Sequence, residues 1–183
     1  LGAGEPVSVL EVKAHARIEY DNEDSLIGLY INAAIERCEL ELQQKVRPQR
    51  MRLKYEGFGC GRGGLLLSGL GGSAVVESLS YYTPNLVLTT LLPSMYRVVH
   101  AAQKYVVPAG YVPLSVWPEQ SVNNKEVVIT ATAGMPIIPT AIKQWIMVQA
   151  ATSFMNREAA TERPLTEVGF IDRLLDPYRL AIV

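Results

Sequence analysis

The segment Gly57-Phe58-Gly59-Cys60-Gly61-Arg62-Gly63-Gly64 comes closest to a reactive motif, because repeated glycines let backbone N–H groups approach a phosphate. A phosphate loop, however, opens a helix directly after a strand. Here the next residues, Leu65-Leu66-Leu67-Ser68, read as a strand. A hairpin loop is the expectation. The two histidines, His15 and His100, lack the nucleophile or orienting carboxylate that a catalytic imidazole needs. They read as ordinary surface or edge residues. Asp21, Glu23 and Asp24 make an acidic patch without EF-hand spacing, and helix capping accounts for them. Cys38 and Cys60 have no CxxC partner and no histidine at ligand spacing, so reduced thiols and no zinc are expected. GxSxG, HExxH and SxxK are absent. No catalytic residue, cofactor site or metal site is therefore assigned, and the chain is not expected to be an enzyme.

Two further groups concern binding. Arg50, Arg52 and Lys54 form a basic stripe on one face of a strand. It is either a polyanion contact or a solvated face that protects a sheet edge, and the latter is expected. Tyr81-Tyr82 and Tyr96 lack interleaved Arg or Lys, so they read as strand packing and not as base-stacking platforms.

The elements that would position these residues follow from periodicity. Ser8-Val9-Leu10-Glu11 is a capping box, with Val7 and Val12 placed as a hydrophobic staple. A short helix over 9–18 follows, with Leu10, Ala14 and Ile18 on one face. Asp21 or Asn22 caps a long helix over about 23–46, whose stripe is Ile27, Ile31, Ala34, Cys38 and Leu42. Pro48 stops it. The period then changes to two over Gln49–Tyr55, and short strands are expected at 65–67, 74–82, 86–91, 95–99, 104–107 and 126–132, separated by Gly, Pro and Asn. Helical spacing returns after Pro139: Ile142, Trp145, Ile146, Gln149, Ala150 and Phe154 share a face of a helix over 139–158, and a last helix is expected near 166–175.

Two helices, a β segment and two more helices predict an α+β fold. The terminal helices, 1–48 and 136–183, pack into one bundle, with the helices over 23–46 and 139–158 as its core, and 49–135 form an inserted antiparallel β lobe. With 183 residues and 49% hydrophobic content there is enough apolar surface for a core. Only 19% of residues are charged, which fits a surface partly covered by partners, although Gly and Pro also dilute that fraction. The formal net charge of −1 argues against tight phosphate binding. No apolar run approaches the length needed to span a bilayer, and the first residues lack the pattern of a signal peptide. Without an initiator Met, further residues upstream are expected. After Pro177 the chain reads Tyr-Arg-Leu-Ala-Ile-Val. Such an apolar segment either folds back on the core or docks into another chain.

Several of these pieces, in this order, resemble one family. They are Glu5 through Ile18, Asp21-Asn22-Glu23-Asp24-Ser25-Leu26, Tyr81-Tyr82, Tyr96-Arg97-Val98, Val116-Trp117-Pro118, the strand 127–132 closed by Ala133-Gly134, Ile138-Pro139-Thr140-Ala141-Ile142-Lys143-Gln144 running to Phe154–Glu158, and Leu174-Leu175-Asp176-Pro177-Tyr178-Arg179. The chain resembles the gp6-like head–tail connector (adaptor) proteins of tailed phages, in the version called the phiE125 gp8 family. The Gly57–Gly64 loop and the apolar residues past Arg179 depart from that pattern.

The resemblance implies a homo-oligomeric ring, twelve copies by portal symmetry, in the virion neck between capsid and tail, assembled in the host cytoplasm. The ring would sit below the portal protein, pass DNA through its lumen without specific binding, and offer a platform to a head-closure or other tail-side neck protein. No membrane is involved, and the lumen should carry little positive charge. Tyr178, Arg179, Leu180, Ile182 and Val183 are the expected portal-docking residues. The alternatives are a head-closure or tail-completion ring protein, which would bind the far side of the connector, and a small nucleic-acid-binding module, which would show salt-sensitive DNA affinity.

Overall fold

A computed structural model describes residues 5–58, 64–71, 73–100, 104–110, 116–157, 171 and 173–179. The described residues divide into two compact units, one formed by the segments up to Arg47 and from Met135 to Arg179, the other by Pro48–Gly134. The fold is α+β, with three α-helices in the first unit and antiparallel strands in the second among the described residues.

Helix α1 spans Val9–Ala16 and opens on the expected capping box. The Ser8 amide donates to Glu11 Oε2 at 2.7 Å, and the Glu11 amide donates to Ser8 Oγ at 3.2 Å. Such a cap contributes about 1 kcal/mol, and the hydrogen bonds that the Ser8 amide and hydroxyl donate to Glu11 hold its carboxyl below its ordinary range. The face that turns inward differs from the expectation. Leu10 is 74% exposed and Ala14 is exposed, whereas Val12 and Lys13 are buried, with Val9 and Ala16 half-buried beside them. The staple decides this: Val7 and Val12 are both buried in the same core, which fixes the rotation of the short helix.

Helix α2 spans Asp24–Leu42 and buries Ile27, Ile31, Ala34, Ile35, Cys38 and Leu42, the expected stripe and its neighbour. Its start departs from the capping expectation. The N-cap is Glu23, and no side chain caps the helix. Asp21 and Asp24 instead take the ammonium of the buried Lys13, the latter at 2.8 Å, and Glu23 receives Arg157 at 2.6 and 2.7 Å. Cations contributed by α1 and by the end of α3 hold these carboxylates, so the caps go unfilled. The helix also ends before 46, because Gln43 turns left-handed at φ 56°. The following residues curl back onto Glu39, which accepts from the amide of Val46 at 3.0 Å and pairs with Lys45 at 2.8 Å.

Helix α3 spans Thr140–Met155 and begins directly after Pro139. It buries Ile142, Trp145, Ile146, Ala150, Ala151 and Phe154 against α2, α1, Val46 and Leu175. Gln149 is half-buried at the margin of this face. Arg157, just past the helix, stacks on Phe154 at 4.4 Å. Of the helix expected over 166–175, residues 166–170 and 172 lie outside the described residues; residues 173–175 form a turn rather than a helical end, and the short turn Asp176–Tyr178 comes next.

Burial within this core pushes the Cys38 thiol up to about 12 from its ordinary value of 9.0. A raised acidic group gives stability that is present below the unfolded value and is lost as pH climbs through the folded one. Cys38 should therefore resist iodoacetamide at pH 9 while the fold persists and react once urea unfolds it, as read by peptide mass spectrometry. Prompt labelling of Cys38 in the folded chain would contradict the buried placement.

The second unit holds two antiparallel sheets. Strands β1 (Gln49–Tyr55), β3 (Val75–Tyr82), β4 (Leu88–Leu91) and β7 (Val127–Ala133) form one sheet in the order β1-β7-β3-β4. Strands β2 (Leu65–Leu66), β5 (Tyr96–His100) and β6 (Lys104–Pro108) form the other in the order β2-β6-β5. The inner face of the larger sheet buries Leu79, Tyr81, Leu91, Val127, Ile129 and Ala131 with Phe58, Leu70 and Val106. Phe58 stacks on Trp117 with ring centroids 4.4 Å apart. Of the glycine-rich segment, 59–63 lie outside the described residues; Gly64 passes so close to β6 that a Cβ would sit 2.9 Å from Val107. The ladder of β1 with β7 opens on the pair Gln49 and Ala133. In the first unit, the Met135 amide donates to Val46 O at 3.0 Å.

Candidate docking surfaces

Among the described residues, those weighed for chemistry are not brought together. His15 is exposed, and His100 ends β5 opposite Lys104. Asp21, Glu23 and Asp24 are occupied by Lys13 and Arg157. Cys60 lies outside the described residues. Among the described residues no group of three His, Cys, Asp or Glu could hold a metal ion, and no helix is long and apolar enough to cross a membrane. What the fold presents instead is surfaces.

The segment expected to dock begins at a tied-down point. Leu175 is buried in the helical core, and the turn Asp176–Tyr178 follows it. Tyr178 is half-buried against that core, and its carbonyl accepts from Gln44 Nε2 at 2.6 Å. Arg179 is exposed and pairs with Glu41 at 3.0 Å and Asp176 at 3.4 Å. Leu180, Ile182 and Val183 lie outside the described residues.

The basic stripe occupies the outer face of an edge strand, since among the described residues β1 pairs only with β7. Its burial alternates as the period of two requires, with Arg50, Arg52 and Lys54 exposed. Two of the three cations are neutralised within the sheet: Arg50 Nε lies 2.7 Å from Glu77 and Lys54 Nζ 2.8 Å from Glu126. Glu77 stands at a β-bulge between Val76 and Ser78, and the extra residue lets its carboxylate also accept from the Thr132 hydroxyl. That hydrogen bond and Arg50 hold the Glu77 carboxyl below its ordinary range. Arg50 and Arg52 line one side of a shallow trough of about 370 Å³ across this face, with Leu88 on the other and Ser80, Val128 and Thr130 also lining it.

A third surface has no counterpart among the expected site residues. From Ser78 to Tyr96 the sequence carries no charge. Within it Leu86, Val87, Leu88, Leu92 and Met95 are 47–63% exposed, around the edge strand β4. Strand β4 starts two residues later than expected because Leu86 adopts φ 60°, closing a turn in which its amide donates to Thr83 O at 2.8 Å. A leucine in the left-handed region is unfavourable by about 1–2 kcal/mol. The signal that could have disclosed this surface was the uncharged run itself.

The sequence profile of the family described as phage gp6-like head-tail connector protein matches residues 7–87. No curated protein sequence matches the chain. Its fold is similar to that of a chain in the neck of an empty GTA particle computed with C6 symmetry, with a TM-score of 0.78 at 19% identity over 100% of this chain and 94% of that one. A chain of the virion of the native gene transfer agent (GTA) particle gives 0.77 at 20% identity over 99% and 93%. A chain of the native neck computed with C12 symmetry gives 0.70 at 20% identity over 100% and 94%. The sequence likeness to that connector family spans residues 7–87, and the likeness of fold to chains of those particles spans the whole length.

Proposed function

We propose that this chain is a structural connector that forms a ring beneath the portal of a tailed phage or phage-like particle, extends the DNA channel and carries the platform for the tail. The observation that carries the reading is the coincidence of the connector profile over 7–87 with a whole-chain fold shared with neck structures of C6 and C12 symmetry. The work done is mechanical, and the family to which the profile belongs is structural.

A ring of identical copies needs two different surfaces that meet head to tail and close by rotation. Twelve copies would match the C12 neck. DNA passes without being gripped, in keeping with a net charge of −1 and with the pairing of Arg50 and Lys54 to glutamates. The segment Tyr178, Arg179, Leu180, Ile182 and Val183 docks onto the portal, held at its base by the contacts of Tyr178 to Gln44, just past α2, and of Arg179 to Glu41 on it. The tail-side face meets a head-closure protein.

Mixing the purified chain with portal rings tests this. Native mass measurement and imaging should show twelve copies stacked as a closed ring on the portal. A chain that leaves the portal bare, or that binds only the far side of another connector, would refute the assignment. So would DNA affinity that falls steeply with salt.

A further inference from the structure

Among the described residues the larger sheet of the β unit has two unpaired edges, and they are unlike. Among the described residues no strand pairs with the outer side of β1 or of β4. An open edge invites pairing, and proteins guard against the wrong kind with charged side chains. Strand β1 is guarded by Arg50, Arg52 and Lys54. Strand β4 is unguarded, lies within the uncharged run 78–96, and is flanked by exposed Leu86, Val87, Leu92 and Met95. Those side chains with Leu88 expose on the order of 500 Å² of apolar surface, at the upper end for a monomer. One side of a standard protein interface buries about 800 Å², so this patch supplies a large part of one.

We infer that the β4 edge of one copy pairs with the β1 edge of the next, joining the four-stranded sheets into one antiparallel belt around the ring; this rests on the ring reading above. Strand direction supports a second copy as the occupant. All neighbours in β1-β7-β3-β4 are antiparallel and the strands number four, so the two edge strands run in opposite directions. Repeating the subunit by rotation alone therefore sets β4 antiparallel to the following β1. Pairing β4 with another β4 would be two-fold and would stop at a dimer.

Charge permits the joint. Arg50 and Lys54 are already neutralised by Glu77 and Glu126, leaving Arg52 as the one β1 cation without a carboxylate among the described residues. Its aliphatic stem can cover an apolar neighbour such as Leu88 while the guanidinium stays in water. Dimensions permit it as well. Strands spaced about 4.8 Å apart give each copy about 19 Å of belt, so twelve copies close at a radius of about 37 Å, wide enough to surround a DNA duplex.

Register supplies the test. The ladders align Lys54 with Val128, Val128 with Ser80, and Ser80 with Thr90. Continuing that row without stagger places Thr90 of one copy opposite Lys54 of the next; a shift of two residues places it opposite Arg52. The pairs Thr90→Cys with Lys54→Cys and Thr90→Cys with Arg52→Cys, each in a Cys60→Ser background, are assembled on portal rings and oxidised. The expected result is a ladder of covalent oligomers reaching the full ring on a non-reducing gel for one of the two pairs, and none for the single-cysteine variants. Portal-bound rings of correct mass that yield only monomers from both pairs overturn the belt and leave the ring reading intact. Cross-linking of Thr90→Cys to the portal, or to a tail-side protein added afterwards, also overturns it. If no ring forms on the portal even with the unmodified chain, the ring reading itself fails.

Discussion

Replacing Trp145 with alanine is expected to destabilise the helical unit by about 3–5 kcal/mol, the range for truncating a large aromatic side chain in a packed core. Trp145 is fully buried in the cluster that α3 forms with α2, Val12 and Leu175. The cost combines lost transfer energy with the cavity left behind, and rigid helices close over such a cavity only in part. Against a typical domain stability of about 5–15 kcal/mol, this is enough to leave much of the population unfolded on mild warming. Urea denaturation followed by far-ultraviolet circular dichroism measures it. A loss below about 1 kcal/mol would mean that Trp145 is not where the fold places it. On the proposed ring reading, a subunit that unfolds cannot assemble, so the same substitution should remove assembly on the portal at temperatures where the unmodified chain assembles.

Removing residues 180–183 is expected to weaken portal binding by at least about a hundredfold while leaving the subunit folded. Leu180, Ile182 and Val183 would each bring on the order of 1.5–3 kcal/mol if fully buried, and each 1.4 kcal/mol is about tenfold in affinity. Ordering a free segment offsets part of that gain, which is why the expected loss is set well below the full transfer value. The cut belongs after Arg179, because Tyr178 accepts from Gln44 and Arg179 pairs with Glu41 inside the subunit. Cutting at 178 would confuse docking with folding. Affinity for immobilised portal rings, together with a thermal melt of the truncated chain, separates the two. Unchanged affinity in a normally folded variant would remove the segment from the interface.

Periodicity carried most of the fold. The stripe Ile27, Ile31, Ala34, Cys38 and Leu42 is buried as its spacing requires, and so is the α3 face around Trp145 and Ile146. Strands were legible because Gly, Pro and Asn punctuate them and because β1 alternates cleanly between exposed cations and half-buried apolar side chains. What escaped depended on partners distant in sequence. Asp21 and Asp24 look like helix caps until Lys13 and its burial are known, and the end of α2 is set by Glu39 gathering the amides that follow. In α1 two faces satisfy helical spacing, and the staple between Val7 and Val12 chooses the one without Leu10. For the candidate surfaces, types were legible and topology was not. Sequence shows that β1 is basic, but its place at a sheet edge and the neutralising reach of Glu77 depend on which strands pair.

The entry and exit of the β unit have one more consequence. The chain enters it beside Gln49 and leaves it beside Ala133, which face each other across the ladder, and just outside them Val46 and Met135 are already joined by a hydrogen bond. A hairpin stem of this kind is a natural splice point. Excising 48–134 and bridging Arg47 to Met135 with a tight turn asks little of the helices, and neither does exchanging that stretch for a different module. A chain with the same helices could thus carry a longer, shorter or different module between those two strands' ends without asking the helical core to repack.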